Sequence, residues 1–335
     1  MHAGAPGHDR RRLVPVAAAV EPTGRGEPFA LAERVVGNLS SALHASRETL
    51  RLPLLCLLAE GHVLVEDVPG VGKTVLAKAL ARSLELRFQR VQFTPDLLPA
   101  DVTGVNVFDR SSGSFQFRPG PVFANVLLVD EINRASPKTQ SALLEAMQET
   151  QVTVDGETHE LERPFLVIAT QNPVEYAGTY PLPEAQLDRF AVRMAIGYPP
   201  DADEARMLAE QTTETPLEHL QPVARHDELL EAIEAARRVH VEERVNRYVV
   251  AILRHTRDSR RLALGGSPRS GIALLRLAKA RALTEGRDFV VPEDVQALAE
   301  AVLGHRLILA PEARATGVTA AEVVAEALAA TPAPV

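Results

Sequence analysis

The feature that most constrains the fold is the run from Glu66 to Thr74, which reads EDVPGVGKT. It follows the short apolar segment 62–65 and precedes residues 75–84, which have the apolar spacing of a helix. Glycines in the loop allow the backbone to curl so that several N–H groups point at one anion. A helix that begins directly after such a loop adds the positive end of its dipole. This order predicts a strand, a phosphate-binding loop and a helix.

The side chains of this loop indicate the ligand. Lys73 would reach the β- and γ-phosphates of a nucleoside triphosphate, and the Thr74 hydroxyl would ligate Mg²⁺. One position departs from the usual pattern, because Asp67 stands where glycine is normal and its carboxylate would repel phosphates unless it points away. The alternative interpretation is an ordinary glycine-rich turn. The predicted nucleotide-binding residues are Pro69, Gly70, Val71, Gly72, Lys73, Thr74 and Val75.

Composition favours a globular protein and excludes other classes. The chain has 335 residues, of which 46% are hydrophobic and 24% charged, enough for two domains with large cores. The net charge of -8 argues against broad nucleic-acid binding, which normally requires a basic balance. The single cysteine, Cys56, lies in the apolar stretch 52–58 and reads as a core residue without an internal disulfide. We therefore expect a reducing compartment, the cytoplasm.

The N-terminus has some outline of an export signal, because arginines at 10–12 precede the apolar stretch 13–20. That stretch is short, rich in alanine, broken by Pro15 and followed at once by Glu21. We predict a flexible tail over residues 1–28 instead. No segment approaches the roughly 20 apolar residues that span a bilayer, so membrane insertion is not expected.

Short apolar segments alternate with helical patterns in the first half of the chain, as a parallel sheet flanked by helices requires. The predicted strands are 62–66, 88–93, 125–130, 164–170 and 190–196. These assign residues 29–199 to an α/β nucleotide-binding domain. Residues 200–330 show no convincing strand and are predicted to form an all-helical domain, with residues 331–335 as a tail. Its predicted helices are 203–211, 226–239, 242–258, 268–285, 292–303 and 320–329.

Two acids follow the apolar run 125–129, at the carboxyl end of a predicted strand. Ligands of open α/β sheets bind at that edge. Asp130 would hold the magnesium ion, and Glu131 would orient and deprotonate the attacking water. The alternative is that the acids cap the next helix, but Ser136 and Pro137 already supply an N-cap and a first helical residue.

A third apolar strand, 165–170, ends in polar residues. Asn172 could reach the γ-phosphate and the water beside Glu131 if this strand lies next to the one that carries Asp130. An asparagine before proline is also a common turn signal, which is the alternative.

These residues resemble the AAA+ ATPases and, within them, the MoxR family. The resemblance extends from about residue 30 to about residue 310. Besides the phosphate loop and Asp130-Glu131, four stretches are similar to the family's signatures: residues 92–99, 120–125, 131–135 and 178–190. An acid at position 67 is compatible with this family. The implied fold is an AAA+ core with a parallel sheet and a C-terminal helical lid.

The resemblance implies further site residues. Asn172 would be the sensor-1 residue, Arg189 the arginine finger that acts on a neighbouring subunit, and Arg269 sensor 2. Arg269 stands in the opening turn of a predicted helix and could reach back over the nucleotide, which would couple ATP to domain closure. Arg189 stands directly before an alternating strand. A solvated surface charge is the alternative for either arginine, and Arg134 is a second candidate for action across subunits.

Two segments interrupt the core pattern. Residues 151–161 alternate around Asp155-Gly156, a strong hairpin signal. Residues 114–117 suggest a second exposed excursion that carries aromatic side chains. In the MoxR resemblance these segments are similar to inserts that face the pore or the partner side of a ring. The alternative is ordinary surface hairpins.

The resemblance implies a Mg²⁺-dependent ATP hydrolase that forms a ring, expected to be a hexamer, and remodels or matures partner proteins. The implied partners contain a von Willebrand factor type A domain, and the output would be maturation or insertion of a metal or cofactor. An alternative is a chelatase- or helicase-type motor. An alternative of another class is a nucleotide-gated scaffold without turnover, against which Glu131 argues.

Overall fold

A computed structural model describes residues 27–173, 178–201, 203–205 and 216–334. The strands are β1 (Val63–Glu66), β2 (Phe88–Gln92), β3 (Gly104–Asp109), β4 (Ser114–Pro119), β5 (Val126–Asp130), β6 (Gln151–Val154), β7 (Glu157–Glu160), β8 (Leu166–Gln171), β9 (Val192–Met194), β10 (Leu262–Leu264) and β11 (Ile308–Leu309). The helices of the first half are α1 (Glu27–Ala42), α2 (Arg47–Leu58), α3 (Lys73–Ser83), α4 (Pro99–Thr103), α5 (Pro137–Glu149) and α6 (Glu184–Leu187), with a 3₁₀ turn at Ile132–Arg134. Those of the second half are α7 (Pro216–His219), α8 (His226–Arg238), α9 (Glu243–Asp258), α10 (Pro268–Thr284), α11 (Pro292–Leu303), α12 (Pro311–Ala315) and α13 (Ala320–Ala330).

Five parallel strands form the central sheet in the order β2, β5, β8, β1, β9. Strand β5 is buried along its whole length, and β1 and β8 are buried except at their last residues, as expected for strands covered on both faces. Val129 lies opposite Ala169, and Glu66 lies opposite Gln171. Because the strands are parallel, the residues that follow β1, β5 and β8 meet at one edge of the sheet.

Side chains of the sheet enter two hydrophobic clusters, one on each face. Val63 and Val65 of β1 belong to one cluster, and Leu64 belongs to the other, because side chains alternate along a strand. The Val63 cluster also contains Leu274 of α10 and Leu298 of α11. The helical C-terminal part, which we call the lid, therefore shares its core with one face of the sheet.

Helix starts agree with the sequence signals. Ser136 Oγ accepts a hydrogen bond from the Thr139 N–H (3.4 Å) at the start of α5, and Pro137 is the first helical residue. At the start of α10, Ser267 Oγ accepts from the Ser270 N–H (3.1 Å). Such caps satisfy N–H groups that the helix leaves without a partner.

The prediction that the second domain lacks strands is wrong. Strands β10 and β11 pair antiparallel, with Leu262 opposite Leu309. They are three and two residues long and are only half-buried or exposed, so no alternating run marks them in the sequence. The helix predicted at 203–211 falls mostly outside the described residues, as does the apolar stretch 13–20. The first helix begins at Glu27, inside the predicted tail.

The two excursions form antiparallel hairpins. Strands β6 and β7 flank Asp155 and Gly156, whose φ angles are 51° and 87°, the left-handed values that a tight hairpin turn needs. Strand β4 pairs with β3. The hairpins contact each other, because the Phe117 ring stacks on His159 with 3.8 Å between ring centroids. Within the described ranges, no helix is both long and apolar enough to cross a membrane.

Candidate functional site

The loop after β1 has the geometry of an anion site. Gly70 and Gly72 adopt φ angles of 88° and 97°, and Gly72 is the N-cap of α3 without a side-chain acceptor for the first N–H groups. A Cβ at Gly72 would lie 2.4 Å from Leu43 Cδ1, a side-chain end that can shift, so the left-handed backbone angle is what requires glycine here. The N–H groups of the first turn of α3 are therefore available to an anion.

A pocket at the carboxyl edge of the sheet gathers most of the predicted site residues. We call it the nucleotide pocket; its lining residues are Pro69, Gly70, Gly72, Lys73, Thr74, Val75, Arg90, Gln92, Asp130, Glu131, Thr170 and Asn172. The side chain of Val71 is buried and does not line it. Arg189 and Arg269 also lie elsewhere.

The structure explains how Asp67 is compatible with a phosphate site. Its Oδ2 accepts hydrogen bonds from the N–H groups of Ile196 (2.7 Å) and Gly197 (2.8 Å), and Oδ1 accepts from Val68 N–H (2.8 Å). The carboxylate is thus held by the segment that leaves β9. Its own carbonyl oxygen accepts a hydrogen bond from the Lys73 ammonium group.

The surroundings of Lys73 would allow its ammonium group to change partners when a phosphate binds. Partial burial lowers the pKa of its ammonium group, and the nearby carboxylates of Asp67 and Asp130 oppose that shift. Glu131 opposes it as well. Because the carbonyl that Lys73 contacts belongs to the loop itself, a phosphate can take over as its partner with only a local rearrangement.

Asp130 ends β5 and is held from two sides. Its Oδ2 accepts a hydrogen bond from Arg90 Nε (2.6 Å), and its Oδ1 accepts from the Thr170 hydroxyl (3.2 Å). The same Thr170 oxygen accepts from the Glu131 N–H (3.0 Å). Thr170 therefore fixes both acids relative to the neighbouring strand β8.

Glu131 occupies a strained backbone position. Its φ of 56° and ψ of 52° are left-handed, a conformation that costs a non-glycine residue about 1–2 kcal/mol. Such strain concentrates at functional sites. Its Oε2 accepts a hydrogen bond from Arg134 Nη1 (2.9 Å), so Arg134 is an ion-pair partner of Glu131 within the same subunit.

The donor set fits magnesium bound together with a nucleotide. The described residues contain no cluster of three or more His, Cys, Asp or Glu side chains that could hold a metal by themselves. The nucleotide pocket offers the Thr74 hydroxyl and the Asp130 carboxylate. Mg²⁺ prefers oxygen ligands and usually takes one or two from the protein, with the rest from phosphates and water.

A second pocket contains the two remaining predicted arginines. We call it the arginine pocket; its lining residues are Ala59, Glu60, Gly61, His62, Met147, Gln148, Asp188, Arg189, Ala191, Arg269, Ile272, Ala273, Arg276, Leu277 and Arg306. Residues 59–62 precede β1 and Ala191 precedes β9, so this pocket lies at the amino ends of those strands. The nucleotide pocket lies at the carboxyl ends.

Arg269 therefore does not line the nucleotide pocket of its own subunit, where it was expected to reach over the nucleotide. Strand β1, whose four residues span about 10 Å, separates the two pockets. The Arg269 Nε lies 3.7 Å from Asp188 Oδ2 instead. The physical reason is that the lid packs against the opposite end of the sheet from the phosphate loop.

Sequence reasoning missed three residues of these pockets. Thr170 carried a weak signal, because it is the first polar residue after the apolar run of β8. Arg90 stands between Gln89 and Val91 in β2 and looks like an ordinary exposed strand residue. Arg306 contacts Asp188, which is 118 residues away in sequence. No local pattern reports such a contact.

Comparisons with known proteins agree on the class of the chain. Residues 62–192 match the model of the ATPase family associated with various cellular activities (AAA), and residues 254–327 match the AAA lid domain. The chain is 48% identical to uncharacterized protein YeaC of Bacillus subtilis, over 90% of this chain and 94% of that protein. It is 41% identical to chaperone MoxR1 of Mycobacterium tuberculosis, over 84% of this chain and 77% of that protein.

A solved structure shows the same fold. It is a candidate ATPase from Cytophaga hutchinsonii that superimposes with a TM-score of 0.85 at 35% identity, over 92% of this chain and 97% of that one.

Proposed function

Because this chain belongs to the MoxR family of AAA+ ATPases, we propose that it is a magnesium-dependent ATP hydrolase that works as a ring. In each subunit, Lys73 and the first N–H groups of α3 bind the phosphates of ATP. Thr74 and Asp130 would hold the magnesium ion, which would supply positive charge to offset that of the phosphates.

Glu131 orients and deprotonates the water that attacks the γ-phosphate, and Asn172 contacts that water and the phosphate. The ion pair with Arg134 (2.9 Å) fixes the position of the Glu131 carboxylate. A nucleotide-gated scaffold has no need of a strained acid beside the phosphates, so this geometry favours turnover over that alternative.

One observation supports assembly into a ring. Arg189 and Arg269 line a pocket at the opposite end of the sheet from the nucleotide pocket. Their guanidinium groups therefore act on a phosphate of another subunit. A phosphoryl-transfer site without such an arginine loses about 10³ to 10⁵ in rate, far more than any exposed ion pair contributes.

The two pockets also define the symmetry. An interface in which the arginine pocket of one subunit meets the nucleotide pocket of the next joins two different surfaces. Repetition of such a head-to-tail contact closes into a ring, for which we propose six subunits, by the family resemblance.

The proposed output is remodelling of partner proteins in the cytoplasm. The name of the relative MoxR1 describes a chaperone, and the family resemblance points to clients or adaptors with a von Willebrand factor type A domain. A chelatase- or helicase-type motor remains the second candidate, but the net charge of -8 disfavours a nucleic-acid track. Capture with Glu131→Gln rings and ATP, followed by mass spectrometry, distinguishes them: a protein client supports the chaperone, whereas nucleic acid supports the motor.

A mixing experiment tests the action across subunits. Arg189→Ala and Glu131→Gln should each bind ATP and be nearly inactive alone. In a mixed ring, a subunit with intact Glu131 receives Arg189 from its Glu131→Gln neighbour, so ATPase activity should return. Fluorescent labels on the two variants report whether subunits exchange.

If exchange is complete and the mixture stays inactive, Arg189 does not act across the interface. A mixture of Arg189→Ala with Lys73→Ala is the matched second pair, because the Lys73→Ala subunit also donates an intact arginine while its own site is silent. Both mixtures should recover to a similar extent.

A further inference from the structure

One buried arginine of the lid holds the segment 188–191, which carries the arginine finger. The side chain of Arg306 is only 3% exposed. Its Nε donates to Asp188 Oδ1 (2.7 Å), and Nη2 donates to the carbonyl oxygens of Phe190 (2.6 Å) and Asp188 (3.3 Å). Its Nη1 donates to the carbonyl oxygen of Ala191 (3.2 Å). The planar guanidinium group of Arg306 thus fits one backbone conformation of residues 188–191 as well as the charge of Asp188.

Neighbouring atoms of the lid complete the attachment. Nη1 of Arg306 also donates to the carbonyl oxygen of Val302, near the end of α11, which ties the guanidinium group to the helix that precedes it. His305 Nε2 lies 3.0 Å from the carbonyl oxygen of Phe190. Burial lowers the pKa of His305 to about 3, so its ring is neutral at pH 7 and Nε2–H acts as the donor. The carbonyl that follows Arg189 in the chain is therefore held by two lid residues.

The side chain of Arg189 itself has no such partner. Among the described residues, its guanidinium group makes neither a hydrogen bond nor an ion pair. Its backbone N–H donates to the carbonyl oxygen of Gln186 (3.2 Å). The base of the side chain is consequently fixed by the backbone, and its charged end is uncommitted and lines the arginine pocket.

The second arginine of the pocket shares the same anchor. The Asp188 carboxylate accepts from Arg306 through Oδ1 and lies 3.7 Å from Arg269 Nε through Oδ2. Removal of its charge would weaken both contacts. Asp188 therefore links the buried arginine to the half-exposed one on α10.

We propose that Arg306 is a positioning residue that presents Arg189 to the neighbouring subunit, with Asp188 as its charged partner; this rests on the proposed action of Arg189 across the interface. Arg306 makes four hydrogen bonds to residues 188–191 and His305 makes a fifth, and both residues belong to the lid. A shift of the lid in one subunit therefore moves the arginine finger that serves the next subunit. The lid of each subunit sets hydrolysis in its neighbour's site.

A purely structural role for Arg306 predicts something different. If Arg306 only joined the lid to the core, its loss would destabilise its own subunit, and an intact neighbour would not restore ATPase activity. Positioning predicts a directional defect, in which the variant subunit hydrolyses ATP normally when served by an intact neighbour. Misplacement of a catalytic group by about 1 Å reduces the rate about 10²-fold.

The test uses Arg306→Lys, which keeps the charge beside Asp188 but loses the fork to the carbonyl oxygens. Homogeneous rings should lose about 10²-fold in kcat, with ATP affinity within the parent's range, because no residue of the nucleotide pocket has changed. The matched control is Arg287→Lys, whose guanidinium pairs with Asp294 within the lid at 2.7 Å for both bonds. It should lower thermal stability and leave kcat at the parent level.

Mixed rings show which of two adjacent subunits carries the defect. Arg306→Lys mixed with Glu131→Gln should regain ATPase activity, because the second subunit donates a well-placed Arg189. Arg306→Lys mixed with Arg189→Ala should stay inactive, because neither subunit donates one. Asp188→Asn, which keeps an oxygen acceptor without the charge, should give the same two results and replaces Arg306→Lys if that variant does not fold.

Three outcomes overturn the proposal. Parent-like kcat in folded Arg306→Lys rings would show that the finger needs no anchor from the lid. Absence of recovery with Glu131→Gln, while the Arg189→Ala and Glu131→Gln mixture recovers, would make Arg306 structural only. Failure of that last mixture, with exchange confirmed, overturns instead the action of Arg189 across subunits and with it this inference.

Discussion

The nucleotide pocket and the arginine pocket are built in opposite ways. The first lies at the carboxyl ends of four adjacent parallel strands and includes the loop after β1, so the sheet brings Lys73, Asp130 and Asn172 together. The second is assembled from the turn before β1, the turn before β9 and lid helix α10. Its geometry depends on how the lid packs, through contacts such as Arg306 with Asp188.

This difference separates the two chemical tasks. In the proposed mechanism, binding and water activation use groups that lie within one subunit and that are each marked by a local sequence signal. Charge stabilisation would come from groups that a second subunit supplies and that move with its lid. Variants of the two pockets should therefore differ in whether an intact neighbour can rescue them.

The largest expected effects lie in the nucleotide pocket. Lys73→Ala should abolish ATP binding, whereas Glu131→Gln should bind ATP and lose about 10² to 10⁴ in kcat, because the lysine meets phosphates and the glutamate meets water. Equilibrium binding of a fluorescent ATP analogue and steady-state ATPase assays measure the two defects. Turnover at the parent rate in Glu131→Gln would contradict the water-activating role.

Arg269→Ala should reduce kcat by about 10²-fold if its guanidinium stabilises charge at the neighbouring site. The defect should be rescued in rings mixed with Glu131→Gln, as for Arg189→Ala. The matched control is Arg261→Ala, an exposed lid arginine paired with Glu326 and remote from both pockets, which should keep parent activity.

Small-angle scattering distinguishes whether Arg269 acts on the nucleotide of its own subunit or on that of the neighbour. If Arg269 instead drew the lid over its own nucleotide, Arg269→Ala would prevent compaction with a non-hydrolysable ATP analogue, and mixing would not rescue it. Rescue together with parent-like compaction assigns Arg269 to the interface; the reverse pair of results assigns it to its own subunit.

Acid should destabilise the fold through a buried histidine of the arginine pocket. His62 lies at the floor of the arginine pocket, where its Nε2 lies 2.9 Å from the Met147 carbonyl oxygen and its Nδ1 accepts from Val167 N–H (3.1 Å). Full burial lowers the pKa of His62 to about 4, from the ordinary histidine value of 6.5. Between those values the unfolded chain binds the extra proton, so stability falls as the pH drops through this window.

The expected loss is at most about 3 kcal/mol between pH 6.5 and 4, at 1.36 kcal/mol per pH unit. Urea unfolding at a series of pH values measures it. His305, with its pKa lowered to about 3, contributes with the same sign. His62→Gln should flatten the pH dependence by the share of His62, and an unchanged slope in that variant would show that its titration does not control acid stability.

The sequence predicted the sheet and the nucleotide pocket well because their signals are local. A strand that ends in polar residues places them at the edge of a parallel sheet, and Asp130 and Asn172 follow that rule. Arg306 shows why the arginine pocket was harder: its partners lie 115 to 118 residues away, and only lid packing unites them. Strands β10 and β11 were not predicted because each is too short to show an alternating pattern.

Asp67 connects the phosphate loop to the segment after β9, and its substitution should have the smallest effect. It begins the phosphate loop, yet its Oδ2 accepts from the N–H groups of Ile196 and Gly197, on the path from β9 towards the lid. In Asp67→Asn, the amide NH₂ must face either these N–H groups or that of Val68, so one side loses its acceptor. The loss should be about 1 to 2 kcal/mol of unfolding free energy.

The effect of Asp67→Asn on ATP affinity decides whether the two regions are separable. Because the carboxylate points away from the phosphates, we expect affinity to change by less than about tenfold, which is 1.4 kcal/mol. Asp101→Asn is a matched control, since Asp101 Oδ2 accepts from the Leu98 N–H (2.9 Å) at the start of α4 and touches neither pocket. A larger change in affinity with unchanged stability would mean that this acid acts on the phosphates directly. The loop and the segment after β9 would then respond to the nucleotide as one unit, and the lid would sense the nucleotide of its own subunit through Asp67.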